Sequence, residues 1–256
     1  MRNLLMRAQY QLINNEYKKL YKLVNKNINR LHMNKSNNKL STKDKTNLKI
    51  LEKSFDRACN NIAATAKSTL IDNMNSLCEE VVEEVQTELG IEIDDSVISD
   101  TIDAILLGLI YNTNWTLSDA IEKAINSNEE LIKEIIEAGI EDEKSESEIV
   151  QDILNVIDPN SNQQLRSYKS KHKTLYVGKA DYKLQRLLRT TLEHSFQKII
   201  VETAKVIPEK TMIRWISALE PNTCEVCESR HNKLYEINDL PLEHPNGQCD
   251  FQIEIL

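Results

Sequence analysis

Cys224, Cys227, His231, His244 and Cys249 share the last 33 residues of this 256-residue chain. A C-x-x-C places two thiolates on one tight turn, half of the tetrahedral set a structural zinc needs. His244 and Cys249, five positions apart on the turn into a last strand, could supply the other half. Three thiolates and one imidazole make a closed, non-catalytic zinc site. His231 is the alternative fourth ligand. No βαβ pattern surrounds the C-x-x-C, so a thioredoxin-like redox role is not expected.

The elements that must position these groups are short. Residues 212–216 and 233–237 read as strands, and Phe251, Ile253 and Ile255 alternate as in a half-buried strand. Trp215 sits beside the cysteine turn and should pack the module, with His231 as a structural neighbour. A β-containing knob of residues 208–256 is near the size limit for an independent core, and a metal would supply stability.

Everything before it reads as helix. All five prolines lie after residue 158 and only five glycines occur, so long helices can run unbroken. The predicted fold is mainly α, with an elongated helical body followed by the small module, α+β overall. Residues 4–31 carry Leu5, Ala8, Leu12, Leu20, Val24, Ile28 and Leu31 at threes and fours, with a basic far side. A second helix is expected over 41–88, with Gly90 as its stop. Shorter helices follow, capped at Ser96, Ser118, Asn128 and Ser145, the last with capping-box spacing to Glu148. Residues 160–178 read as a loop and 180–206 as a long helix. The expected divisions are 1–114, 115–207 and 208–256. Cys59 and Cys78 lie near an apolar stripe and read as buried small hydrophobes.

Charge is polarised beneath a net −8. Residues 1–60 carry 14 Lys/Arg against 4 Asp/Glu, whereas residues 72–154 carry 3 against 23. Residues 166–189 hold eight Lys/Arg and one Asp. Arg166, Lys169, Lys171, Lys173, Arg186 and Arg189 are therefore candidate contacts for DNA or an acidic protein surface. The acidic middle should face protein or solvent. The longest apolar run, 104–111, is too short to span a bilayer, and no secretory signal is evident. A cytosolic origin and no membrane partner are expected. No Gly-rich phosphate loop or G-x-S-x-G occurs, and no catalytic residue is assigned.

The run Trp215-Ile216-Ser217-Ala218-Leu219-Glu220-Pro221-Asn222-Thr223-Cys224-Glu225-Val226-Cys227 resembles the C-terminal signature of phage Mu F-like minor head, or head morphogenesis, proteins. His231 stands in the family's His-containing turn. His244-Pro245-Asn246-Gly247-Gln248-Cys249 stands where the family has H-P-N-C-R-C. Arg189-Thr190-Thr191 is similar to its R-T-E. The resemblance covers about residues 115–256. The chain departs from the pattern at Gly247 (Cys in the family), Glu220 (Asp) and Thr191 (Glu). The resemblance implies a few-copy, non-enzymatic component of tailed-phage heads. It would associate with the portal protein and other capsid components, made in the host cytoplasm and then held in the head interior. Two other readings stand beside it. Glu243-His244-Pro245-Asn246 superficially resembles an HNH nuclease site, and a cytosolic helical scaffold with a zinc knuckle would fit the same pattern.

Overall fold

A computed structural model describes residues 2–28, 42–108, 115–157, 165–169, 174–178, 182–221 and 223–256. It is mainly helical with a small antiparallel sheet near the C-terminus, as expected. The chain divides into two compact units, described separately below.

One unit comprises Arg7–Lys67 and Ala120–Gln185. It holds most of α1 (Arg2–Ile28), the first part of α2 (Thr42–Leu89), most of α4 (Leu117–Glu141), α5 (Glu146–Ile157) and a hairpin. In α1 the buried stripe is Met6, Gln9, Ile13, Tyr17, Leu20 and Val24, whereas Leu12 is 45% exposed. The stripe read from the sequence therefore started one position out of register. Tyr17 carries the seam instead, because its ring fills the space that a smaller polar residue would leave. Arg7, Lys18, Lys19, Lys22 and Lys26 are exposed, so the basic far side is present. Leu51, Phe55, Cys59, Ile62 and Ala66 form the matching stripe of α2 in this unit. Each fully buried large side chain contributes roughly 1.5–3 kcal/mol.

α4 is one helix, not two. Asn126–Asn128 carry no break, because Ile121, Ala124, Ile125, Ile132, Ile135 and Ala138 bury one continuous face. That burial outweighs the local turn preference of Ser and Asn. Its start is capped by Thr116 rather than Ser118. The Asp119 N–H donates to Thr116 Oγ1 (3.2 Å) and the Thr116 N–H to Asp119 Oδ2 (2.9 Å). Gly139 lies inside α4, where a Cβ would come 2.5 Å from Ile149 of α5. The capping box of α5 forms as read: the Ser145 N–H donates to Glu148 Oε2 (2.8 Å) and the Glu148 N–H to Ser145 Oγ (3.4 Å).

The expected loop at 160–178 contains an antiparallel hairpin, β1 (Leu165–Lys169) and β2 (Thr174–Gly178), with Arg166 opposite Val177 and Lys169 opposite Thr174. Tyr168, Thr174, Tyr176 and Val177 favour strands, a preference hidden in the sequence by the interspersed lysines. Lys171 and Lys173 lie outside the described residues.

The other unit comprises Met1–Met6, Ser68–Asp119 and Arg186–Leu256. It holds the rest of α2, α3 (Ser96–Leu106), most of α6 (Tyr182–Val206), α7 (Glu225–Arg230) and the sheet. Gly90 follows α2 in the left-handed conformation, φ 64°. Asp95, not Ser96, is the N-cap of α3 and makes no side-chain cap bond, while Asp94 Oδ1 accepts the Ser96 N–H (2.8 Å). The sheet is β3 (Thr211–Ile216) at the centre, flanked by β4 (Leu234–Tyr235) and β5 (Asp250–Ile255), all antiparallel. Trp215 is fully buried, opposite Phe251 in the register, with ring centroids 5.0 Å apart. The Arg230 guanidinium covers the Trp215 ring at 4.8 Å. Trp115 is 49% exposed. No helix among the described residues is long and apolar enough to cross a membrane.

Candidate metal centre

Cys224 is the N-cap of α7, and its sulfur accepts the Cys227 N–H at 3.4 Å. That backbone bond holds the Cys224 thiol below its ordinary pKa. One turn on, Cys227 is buried, and burial raises its pKa. Cys249 directly precedes β5 and is buried too. Its thiol is pushed up, first by burial and then by Glu243. His244 lies on the exposed turn before it.

The His244 Nδ1–H donates to the Pro245 carbonyl (3.1 Å), since a carbonyl can only accept. With the ring neutral, the lone pair of Nε2 then faces Cys224 Sγ at 3.3 Å. Sulfur and nitrogen ligands of a tetrahedral zinc stand about 3.5 Å apart, so this pair has the spacing a metal requires.

The donor atoms fall into two overlapping triads, each with all its atoms within 4.8 Å of one another. Cys224, Cys227 and His244 form one, and Cys227, Glu243 and Cys249 form the other. The four ligands expected from the sequence are thus brought into one cluster that could hold a metal ion, with Cys227 as its pivot. They do not make a single mutually close quartet. Thiolate ligands must be deprotonated, and a cation is what would ionise the two buried thiols.

His231 is placed otherwise. Its Nδ1 accepts the Ser217 N–H at 3.1 Å, a structural role that links the end of β3 to the turn after α7. Ser217 Oγ donates to the Cys227 carbonyl (2.5 Å), and the Cys249 S–H points to Ser217 Oγ at 3.9 Å.

Sequence reasoning named Thr190 only within the Arg189–Thr191 motif and missed His194 and Gln197, which complete the floor of the site. Thr190, His194 and Gln197, at i, i+4 and i+7 of α6, share one face. Thr190 Oγ1 accepts the Asn246 N–H (3.1 Å) and His194 Nε2 meets the Glu243 carbonyl (3.1 Å). The Gln197 amide donates to Glu243 Oε2 (2.6 Å) and to the Cys249 carbonyl (3.3 Å). All three are buried polar residues. Their i, i+4, i+7 spacing on one helix is the signal that would have found them, although α6 also buries Thr191, Glu193, Ser195 and Thr203.

Arg189 lines the same pocket as Cys224, His244 and Cys249, whereas Arg186 is exposed on α6. Arg166 and Lys169 pair through their backbones in the hairpin. The candidate basic contacts are therefore distributed over separate elements. No family model, curated protein or solved structure matches the chain.

Proposed function

We propose that this chain is a structural, non-catalytic minor head protein of a tailed phage. It associates with the portal protein or the capsid interior and acts in head morphogenesis and in DNA packaging or delivery. The observation that supports this reading is the convergence of the segments carrying the resemblance. Trp215–Cys227, His231, the His244–Cys249 turn and Thr190 of α6 all meet around one Cys/His cluster. The cluster would hold one structural zinc, stabilising a module whose sheet has only three short strands. The protein would be made in the host cytoplasm and carried, in few copies, inside the head.

A low-abundance band in purified virions, together with retention of portal protein by the tagged full chain, is the expected outcome. Absence of the chain from virions would end the reading. The exposed lysines of α1 support a non-specific DNA contact as a subsidiary role. The full chain should retard duplex DNA at low salt. Replacing Lys18, Lys19, Lys22 and Lys26 by Gln should flatten the slope of log affinity against log salt, by up to about 0.9 for each phosphate no longer neutralised. In the nuclease alternative His244 would act on water, but its Nε2 faces Cys224. Magnesium-dependent nicking of plasmid that disappears in His244→Ala would favour that alternative.

A further inference from the structure

Glu243 is absent from the ligand set read from the sequence, yet its side chain is the most deeply placed acid of the module at 3% exposure. One of its carboxylate oxygens lies within 4.8 Å of both the Cys227 and Cys249 sulfurs. The group is held firmly. Oε2 accepts from Gln197 and Oε1 accepts the Cys249 N–H at 2.8 Å. A Cβ on Gly247 would lie 2.0 Å from Glu243 Cδ, so the carboxylate fills the space that any side chain at 247 would need.

Neither hydrogen-bond donor brings a positive charge, although the Arg189 side chain lines the same pocket. A buried carboxylate beside two thiols is costly unless a cation joins it. A carboxylate has about four lone-pair positions, and two hydrogen bonds leave room for a metal. Carboxylates that ligate metals are themselves characteristically hydrogen-bonded by neighbours, as this one is by Gln197 and Cys249.

We propose that Glu243 is a metal ligand, giving the ion an inner seat of Cys227, Glu243 and Cys249 beside the outer seat of Cys224, Cys227 and His244. This rests on the reading that the Cys/His cluster holds a metal ion. Cys227 belongs to both seats, so an ion that loses the exposed imidazole moves inward instead of leaving. Sulfur and oxygen together suit a borderline ion such as zinc or its spectroscopic substitute cobalt(II).

The test uses the full chain, reduced and titrated with cobalt(II) alone. The wild type should bind one equivalent, with a thiolate-to-cobalt charge-transfer band. His244→Ala should still bind one equivalent, more weakly. Glu243→Gln alone should keep binding through the outer seat, which also shows that the variant folds. The double variant His244→Ala/Glu243→Gln should lose binding at concentrations that saturate His244→Ala. A residue that merely positions Cys249 would give the same loss, so a further variant separates the two. Glu243→His in the His244→Ala background keeps a donor atom at similar reach but cannot accept both hydrogen bonds. It should restore binding if position 243 ligates, and should not if it only positions. Equal binding by His244→Ala with and without Glu243→Gln would overturn the proposal, as would failure of Glu243→His to rescue in a chain of native helicity. If the wild type binds no cobalt or zinc, the cluster is not a metal site and the parent reading fails instead.

Discussion

Cys78 on α2 and Cys249 before β5 are both buried thiols, and burial raises the pKa of each. Cys78 is pushed up to about 12, with Glu79 as the only further influence. Its near neighbours on the helix, Met74, Leu77, Val81 and Val82, are apolar. Cys249 meets Glu243, Cys227 and Ser217. The same residue type is filler in one place and a donor in the other. What separates them is not burial but whether polar groups from different elements converge on the sulfur. A lone buried thiol stays protonated and inert. A converging set carries potential negative charge that only a cation can offset.

The largest test of this contrast is metal. With free zinc a thousandfold above its dissociation constant, binding would stabilise the folded chain by about 4 kcal/mol, and a chelator should remove that stabilisation. Cys227→Ser should abolish tight binding. Cys78→Ser should leave metal content unchanged, measured by elemental analysis, while costing about 1–3 kcal/mol for an ill-paired buried hydroxyl. Metal loss in Cys78→Ser would break the comparison.

Trp215→Ala comes next, with an expected loss of about 3–5 kcal/mol from chemical unfolding, since its ring packs on Phe251 and under Arg230. Because Trp215 packs on Phe251, two residues after Cys249 on the paired strand, the variant should also weaken metal binding, which no truncation on α2 should do.

A third test uses pH. Glu193 on α6 is buried, and burial raises its pKa to about 7 despite Arg2, whose guanidinium lies 3.3 Å away. The raised value means that the folded state favours the protonated form. The resulting stability is complete below the ordinary value of 4.5 and is lost as pH rises through about 7, by about 3 kcal/mol at most. Glu193→Gln should flatten the unfolding midpoint over pH 4.5 to 8. An unaltered profile would mean that the Arg2 pair already compensates the charge.

The smallest effects concern two left-handed residues. Leu219, at the rim of the module, has φ 52° and is 55% exposed, whereas Gly90 after α2 has φ 64°. Leu219→Gly should be neutral or stabilising by up to about 1 kcal/mol, and Gly90→Ala should destabilise by about as much. Thermal midpoints of opposite sign are the expected readout.

Much of this was legible in residue order. Helical periodicity and the absence of early prolines gave the long helices, and Ser145 with Glu148 gave a cap that forms as read. The alternation at Phe251 and the placement of Trp215 gave the sheet. The errors lie where local preference met packing. α4 runs through Asn126–Asn128 because its apolar face is continuous, and a hairpin forms within 160–178 although its lysines disguise the strands.

For the site, the sequence by itself determined the donor types, because a C-x-x-C and a following His and Cys are local facts of spacing. Which donors face one another was decided only by tertiary structure. Glu243 lies 16 residues from Cys227 and 46 from Gln197, and no periodicity connects them. They meet because β5 pairs with β3 and the turn before it lies on α6, bringing a carboxylate and two sulfurs into one buried space.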